Sequence, residues 1–408
     1  MKVLDRSSII ASVLLAVTVL FRLVLARNVG TELEWDPRGY ILYCPCSGQF
    51  SGQVEQLLGT LYFAKSIDRV LILPPFINYP CGRKTHKHQF GLQVSSGTKQ
   101  GNLYIPVKDY FDIEKLREYH QHIVTFEDFM YELAPTHWPL DQRVAYCSNK
   151  AAEGNGGICP RTGNPFGTFW AAQNIEFVKS EIWSGDLHYN VDYEPWRVMW
   201  GDTFPPSEHP VLAFMNAPTT SPLQPDKNFL HGFLQWSADI IAEGDKYIEE
   251  NIQRPYVGLH LRNGADWART CDLADGSMQR LLSSHQCLGL HSKTNVYRQL
   301  CMQSEELVIE EVQALLEKEP DIKTIFIATD HVSMQDDLQQ EFPDLRVVTL
   351  DPEKPQSDMY VLGEADHFLG NCVSAFTAFV RRHRDEAGLG TSYLGMSKRN
   401  KYTVHDEF

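Results

Sequence analysis

The chain has 408 residues, 43 % of them hydrophobic and 22 % charged, and a formal net charge of −15. That length holds two ordinary domains, and the composition excludes both a disordered chain and a membrane bundle. An acidic chain repels nucleic-acid phosphates, so nucleic acid is excluded as a partner, and any phosphate must be held by a few placed cations.

At the N-terminus Lys2 and Arg6 precede an apolar run of 13 residues, 9–21, and after Arg22 the segment closes on Val24, Leu25 and Ala26. A short run behind a basic start reads as a cleaved secretory signal over residues 1–26. A membrane-spanning helix wants about 20 apolar residues, and an uncleaved anchor is the competing reading. Cleavage would remove three of the 37 basic and one of the 52 acidic residues, leaving −17. At the other end His405, Asp406, Glu407 and Phe408 are similar to the H-D-E-L retrieval signal, with Phe408 in place of Leu. Together the two ends predict a soluble protein of the endoplasmic reticulum lumen, recovered by a retrieval receptor.

Residues 39–46, "GYILYCPC", read as a strand, and from Gly52 onward Val54, Leu57, Leu58 and Leu61 recur at helical spacing. "RVLILPP" supplies a second strand at 70–73, which completes one βαβ unit with parallel strands. Residues 76–205, rich in aromatics, Pro and Gly, yield only a helix near 112–119 and a loop across 147–168. Strands follow at 209–214, "HPVLAF", and 256–262, "YVGLHLR". A helix is predicted over 295–318, with Leu300, Leu307, Val308, Val312, Leu315 and Leu316 on one face. "TIFIATD" and "LRVVTL" are continuous β-branched runs, as strands covered on both faces require. The fold class predicted is α/β, two Rossmann-like halves over 27–228 and 229–374. Residues 216–227 are the linker, and 375–400 are expected to pack back on the first half. Ligands of such sheets lie beyond the carboxyl ends of strands, here 44–53, 260–267, 329–331 and 351–358.

In "YVGLHLRNGADW" an apolar strand ends in charge. His260 and Arg262, two apart, project from one face of a strand, and Asn263-Gly264 turns the chain to deliver Asp266 and Trp267. An Arg262–Asp266 ion pair holding the turn is the structural alternative, although such pairs are weak evidence for stability. A guanidinium at a strand tip is a planar fork of donors suited to phosphate oxygens. In "CSGQFSGQ", Gly48 and Gly52 permit a tight turn, and the helix that follows offers free backbone N–H groups to an anion. Asp358 matches two adjacent donors such as guanine N1–H and N2–H₂, and Phe376 suits a base face; a solvated acid and a core aromatic are the plainer readings. The chain has no D-x-D, P-loop or G-x-S-x-G, so nothing recommends a metal hydrolase or serine esterase.

The nine cysteines lie at 44, 46, 81, 147, 159, 271, 287, 301 and 372, an odd count that leaves at least one unpaired. Cys147 and Cys159 flank a Gly-rich loop they would close, and Cys271, Cys287, Cys301 and Cys372 supply two bridges whose pairing spacing does not fix. Zinc held by Cys44, Cys46, Cys81, His86 and His88 is the competing account. No N-x-[ST] sequon is present.

"HLRNGADW", "IFIATD", "ADHFLGNCVSAFTAF", the "HDEF" end and, with changes, "YCPCSGQFSGQVEQLLGTLYFAK" together resemble the protein O-fucosyltransferases that modify EGF-like repeats. The resemblance implies a GT-B fold, two facing Rossmann-like domains with GDP-fucose in the cleft. It implies inverting transfer of fucose to a Ser or Thr hydroxyl with no required metal or cofactor, and EGF-like repeats of Notch-type receptors as acceptors. By position it implies disulfides Cys44–Cys46, Cys147–Cys159, Cys271–Cys301 and Cys287–Cys372, with Cys81 left over. It places Arg262 on the departing β-phosphate, Asp266 as the residue orienting it or the sugar, and Gln49, Phe50, Ser51, Gly52, His260, Leu261, Asp358, Ala375 and Phe376 around GDP-fucose. Three positions depart from the family pattern: Gln49 replaces an arginine, Gly52 an asparagine and Ala375 a serine. The alternatives are a catalytically weakened, chaperone-like binder of EGF repeats and a transferase acting on thrombospondin-type repeats.

Overall fold

The structure, a computed structural model, describes residues 33–46, 48–78, 104–161, 169–185, 187–220, 223–274, 276–350 and 355–396. The predicted signal 1–26, the end His405–Phe408, and Cys81, His86 and His88 lie outside the described residues. No helix among the described residues is long and apolar enough to cross a membrane.

Apolar, β-branched runs become two parallel sheets. The first contains β1 (Tyr40–Tyr43), β2 (Val70–Leu73), β3 (Ile123–Thr125), β4 (Val144–Ser148), β5 (Lys179–Trp183) and β6 (Val211–Phe214), in the order β3-β2-β1-β6-β4-β5. The second contains β7 (Tyr256–Leu261), β8 (Thr324–Thr329), β9 (Arg346–Thr349), β10 (His367–Gly370) and β11 (Ser392–Tyr393), in the order β9-β8-β7-β10-β11. All pairs in both sheets are parallel, with Tyr43 opposite Phe214 and Leu259 opposite both Ile327 and Leu369. Chain order reverses between β1 and β6 and between β7 and β10, and those two crevices are where such sheets hold ligands.

Six helices matter for the site. They are α1 (Phe50–Ser66), α2 (Ala238–Asn251), α3 (Ala265–Cys271), α4 (Glu305–Leu316), α5 (Pro355–Gly363) and α6 (Ala375–Glu386). Buried residues, including Val54, Leu57, Leu58 and Leu61 with Glu55 and Thr60, occur on every side of α1. The helix expected over 295–318 is two helices. A single turn, Arg298–Cys301, carries Leu300, and α4 starts afresh where the Ser304 hydroxyl caps the Leu307 N–H. The apolar spacing that suggested continuity spans this break because Leu300 and Cys301 are buried on their own account. The described residues of the expected linker, 216–220 and 223–227, are packed in part, with Ala217 and Leu223 buried and Thr219 so close to Gly59 on α1 that a β-carbon there would collide with it.

One hydrophobic cluster runs through both halves, from Ile41 and Leu57 to Phe326 and Phe379. At the seam Asp112 N–H donates to the Gln235 carbonyl at 2.9 Å and Ser237 N–H to the Tyr110 carbonyl at 2.8 Å. Phe50, Phe111, Trp236 and Phe379 meet there with ring centroids 5.0 to 6.4 Å apart. Each such pair adds about 0.5–1.5 kcal/mol beyond the area it buries. The segment after 375 touches both halves: α6 lies against α1, and β11 extends the second sheet.

Among the described residues the disulfides are Cys44–Cys46, Cys147–Cys159, Cys271–Cys301 and Cys287–Cys372. The first consumes two of the ligands the zinc reading needs. Among the described residues no group of three or more His, Cys, Asp and Glu side chains is arranged to hold a metal ion.

Candidate active site

β7 ends at Leu261, and the residues around that end face three ways. His260 is buried against α6, its ring stacked on Phe376 at 4.3 Å and 19° and its Nδ1 2.7 Å from the Thr377 hydroxyl. That approach needs Gly370, because a β-carbon there would collide with Thr377. The Thr377 oxygen also accepts the Asn371 N–H at 2.9 Å, so its own proton is free to go to Nδ1 and leave His260 Nε2–H as a donor. Burial, and secondarily the charge of Arg262, push His260 from 6.5 down to about 3, so the ring is neutral at physiological pH.

Leu261 points the other way, into the core with Val308 and Ile327. What it can offer a ligand is backbone. Arg262, beyond the strand, forms an ion pair with Asp330 at the end of β8 and lies with its guanidinium 4.7 Å from the centre of the Trp267 ring. Asp330 Oδ1 also accepts the N–H groups of Asn263 and Gly264 at 3.0 and 3.2 Å. The Asn263 side chain in turn binds the Val332 carbonyl and N–H. The turns after β7 and β8 are thereby one unit. Asp266 lies in α3, and its side chain is outside the described residues. Trp267 is fixed from behind, donating Nε1–H to the Cys301 carbonyl at 2.8 Å, which also accepts from Asn371 at 2.7 Å.

The first half contributes the start of α1. Gly48 has φ +78°, a conformation glycine adopts without strain, and it turns the chain from Cys46 into the helix. The N–H groups of Phe50, Ser51 and Gly52 precede the first intrahelical bond, which Gln53 N–H gives to the Gln49 carbonyl at 3.0 Å. Gln53 anchors this turn, its amide exchanging bonds of 2.9 and 2.7 Å with the carbonyl and N–H of Ile77. Gln49 is exposed and makes no capping bond. The Phe50 ring belongs to the aromatic seam, 6.2 Å from Phe379, so its backbone is the part turned to a ligand. Phe379 is one turn from Phe376 on α6, and the two halves of the site therefore meet across that helix.

Asp358 is buried in the first turn of α5, where its charge, after burial itself, helps raise Tyr247 to about 12. Ala375 and Phe376 are half-buried at the start of α6, whose Ser374 cap accepts the Phe376 N–H at 3.2 Å. Asn371 sets this turn by accepting the N–H groups of Val373 and Ser374. Thr377 and Asn371 escaped the sequence reading, and Asp330 was marked only as part of the strand end 329–331, with no role. Each lies inside a quoted motif, and Asp330 ends a β-branched strand just as Arg262 follows one, which was the available signal.

Taken together, these groups are a cation held between a carboxylate and an indole, a neutral imidazole, and a helix N-terminus linked to them through Phe50, Phe379 and Phe376. The arrangement can bind an oxyanion and stabilise charge that develops on it. Residues 40–387 match the family model of GDP-fucose protein O-fucosyltransferase. GDP-fucose protein O-fucosyltransferase 1 of Caenorhabditis elegans is 35 % identical over 370 residues, 87 % of this chain and 89 % of that one. A crystal structure of POFUT1 in complex with GDP-fucose is similar at TM-score 0.78 and 33 % identity, covering 89 % of this chain and 100 % of its own. Another, in complex with GDP, gives TM-score 0.77 and 33 % identity over 88 % of this chain and 100 % of its own.

Proposed function

The chain belongs to the GDP-fucose protein O-fucosyltransferase family, with its GT-B fold, and on that premise we propose that it fucosylates Ser or Thr hydroxyls of folded EGF-like repeats in the endoplasmic reticulum lumen. The donor is GDP-fucose, the ligand of a similar solved protein. The observation that carries the mechanism is the Arg262 guanidinium, fixed by Asp330 and Trp267 beside neutral His260 at the end of β7.

As the glycosidic bond breaks, charge grows on the β-phosphate of GDP. Arg262 neutralises it, His260 Nε2–H and the N–H groups at residues 49–52 hydrogen-bond the same oxygens, and a preorganised charge needs no reorganisation during the step. Asp266 orients Arg262 or the sugar. Asp358 accepts from guanine N1–H and N2–H₂, and Phe376 with the backbone at Ala375 lines the base. Because the charge is met by Arg262, we read the transfer as metal-independent, and a chelator is expected to leave the rate unchanged within about twofold. The EGF-type acceptor, with Notch-type receptors as its source, follows the resemblance of the quoted motifs. The lumenal location and the retrieval receptor follow the two chain ends.

The test incubates purified protein with GDP-fucose and either a folded EGF-like repeat or a thrombospondin-type repeat, and reads intact mass. Modification of the EGF-like repeat alone is expected. Modification of only the other module would replace the acceptor. Tight EGF binding with neither transfer nor hydrolysis of GDP-fucose would instead support the chaperone-like reading, which the changes at Gln49, Gly52 and Ala375 favour.

A further inference from the structure

A buried ion pair joins the halves beside the aromatic seam, where His231 meets Phe379 at 5.8 Å. Glu55 on α1 and Arg382 on α6 are 327 residues apart in sequence, with side chains each 4 % exposed, and Arg382 Nη2 donates to Glu55 Oε1 at 2.8 Å. Arg382 Nε donates to His231 Nε2 at 2.7 Å, and Glu55 Oε2 accepts the Leu223 N–H at 3.2 Å. His231 is buried too, and desolvation, with Arg382 beside it, holds it neutral and so able to accept. A buried pair of this kind is a poor source of net stability, because apolar residues of similar volume often serve as well or better. Its placement is more informative. Glu55 is on the second turn of the helix whose first turn carries the N–H groups of Phe50, Ser51 and Gly52. Arg382 is on the helix that begins with Ala375, Phe376 and Thr377.

We propose that Glu55, Arg382 and His231 form a positioning network that fixes the α1 N-terminus relative to the Phe376–His260 side of the site, so that both helix ends engage one nucleotide sugar in the transition state. The inference rests on the donor site proposed above. None of the three residues touches the donor in this account; they act through the two helices. Base recognition, which belongs to the second half, should survive their loss, whereas alignment of the α1 amides with the leaving phosphate should not.

The test compares wild type with the apolar double variant Glu55→Leu/Arg382→Met, chosen because replacing both partners avoids an orphaned charge, and with Arg382→Lys. Cooperative melting, kcat and KM for GDP-fucose per folded molecule, GDP affinity, and hydrogen exchange over residues 50–58 and 376–384 are measured. The double variant is expected to melt like wild type and to lose about 10²-fold in kcat, as misplacement by about 1 Å can cause. Its KM and GDP affinity should move less than about threefold, since uniform binding is retained. Exchange should rise in both segments together, and Arg382→Lys should fall between. A wild-type kcat, or unchanged exchange in either segment, would overturn the proposal. If wild type itself neither binds GDP nor turns over GDP-fucose, the functional reading fails instead, and the exchange result still decides whether the network couples the helices. Should the double variant not fold, Arg382→Lys decides: melting like wild type with reduced kcat supports the network, and an unchanged kcat overturns it.

Discussion

Arg262 is useful only if its fork is aimed, and two neighbours aim it. Asp330 pairs with it, and Trp267 lies under it. Removing the guanidinium, Arg262→Ala, is expected to lower kcat by about 10²–10³, the usual range for one charge-stabilising contact. Asp330→Asn leaves the cation but loosens its geometry, so a smaller loss of about tenfold is expected. Residues acting through one group are not additive. The double variant Arg262→Ala/Asp330→Asn should therefore be no slower than Arg262→Ala, as kcat over the four-member cycle would establish. His260 makes a different prediction. Its folded value of about 3 lies below the unfolded 6.5, so the unfolded state binds the extra proton between those values. Stability is full above pH 6.5 and falls as pH drops toward 3, by about 1.4 kcal/mol per unit across that window. Urea unfolding from pH 7 to 4 should show a steeper loss for wild type than for His260→Asn. Arg262 and His260 stood out in the sequence because a guanidinium and an imidazole interrupt an otherwise apolar strand at its tip. Asp330 was marked only by its place in the strand end 329–331, because its partner lies on another strand and nothing local in "ATD" distinguishes a pairing acid from a solvated one.

At the level of elements, the site depends on how closely α6 approaches the end of β10. Gly370 permits it, since any β-carbon there meets Thr377, the residue that holds His260. Gly370→Val should therefore displace the start of α6, costing about 1–3 kcal/mol by overpacking, and should weaken GDP binding as His260 and Phe376 shift. Chemical denaturation and a GDP titration check this; a variant matching wild type in both would show that α6 does not set the site. Elements whose apolar runs are bounded by clear punctuation were readable: β1, β2, β6, β7, β8 and β9 all fall within the runs that predicted them. β10 was not, because its four residues follow Glu364 and Asp366 directly and begin with His367, leaving too short a run to register. β3, β4 and β5 were lost among the aromatics of 76–205, where side chains pack by shape and carry no period. The false continuity across 302–304 has the same origin, burial by a neighbouring disulfide loop imitating a helix face.

For the whole molecule the question is whether two sheets behave as two domains. Separate cores would predict separate unfolding, but the largest hydrophobic cluster includes Ile41 and Leu57 of the first half with Phe326 and Phe368 of the second, and α6 packs on both α1 and α5. Chain topology points the same way, since α6 and β11 follow the second half's other strands, yet α6 is tied to Glu55 near the start of the first half. Unfolding either half would therefore strip the other of its share of the common cluster, although each also holds a smaller cluster of its own, and a single cooperative transition is expected by calorimetry with the disulfides intact. GDP should raise that one transition as a whole. At a free concentration 100 times its Kd the gain is about 2.7 kcal/mol. If the seam were loose, two transitions would appear and GDP would move only the one containing Arg262 and Phe376. Two transitions, both shifted by GDP, would instead mean that the nucleotide, rather than the shared core, is what joins the halves.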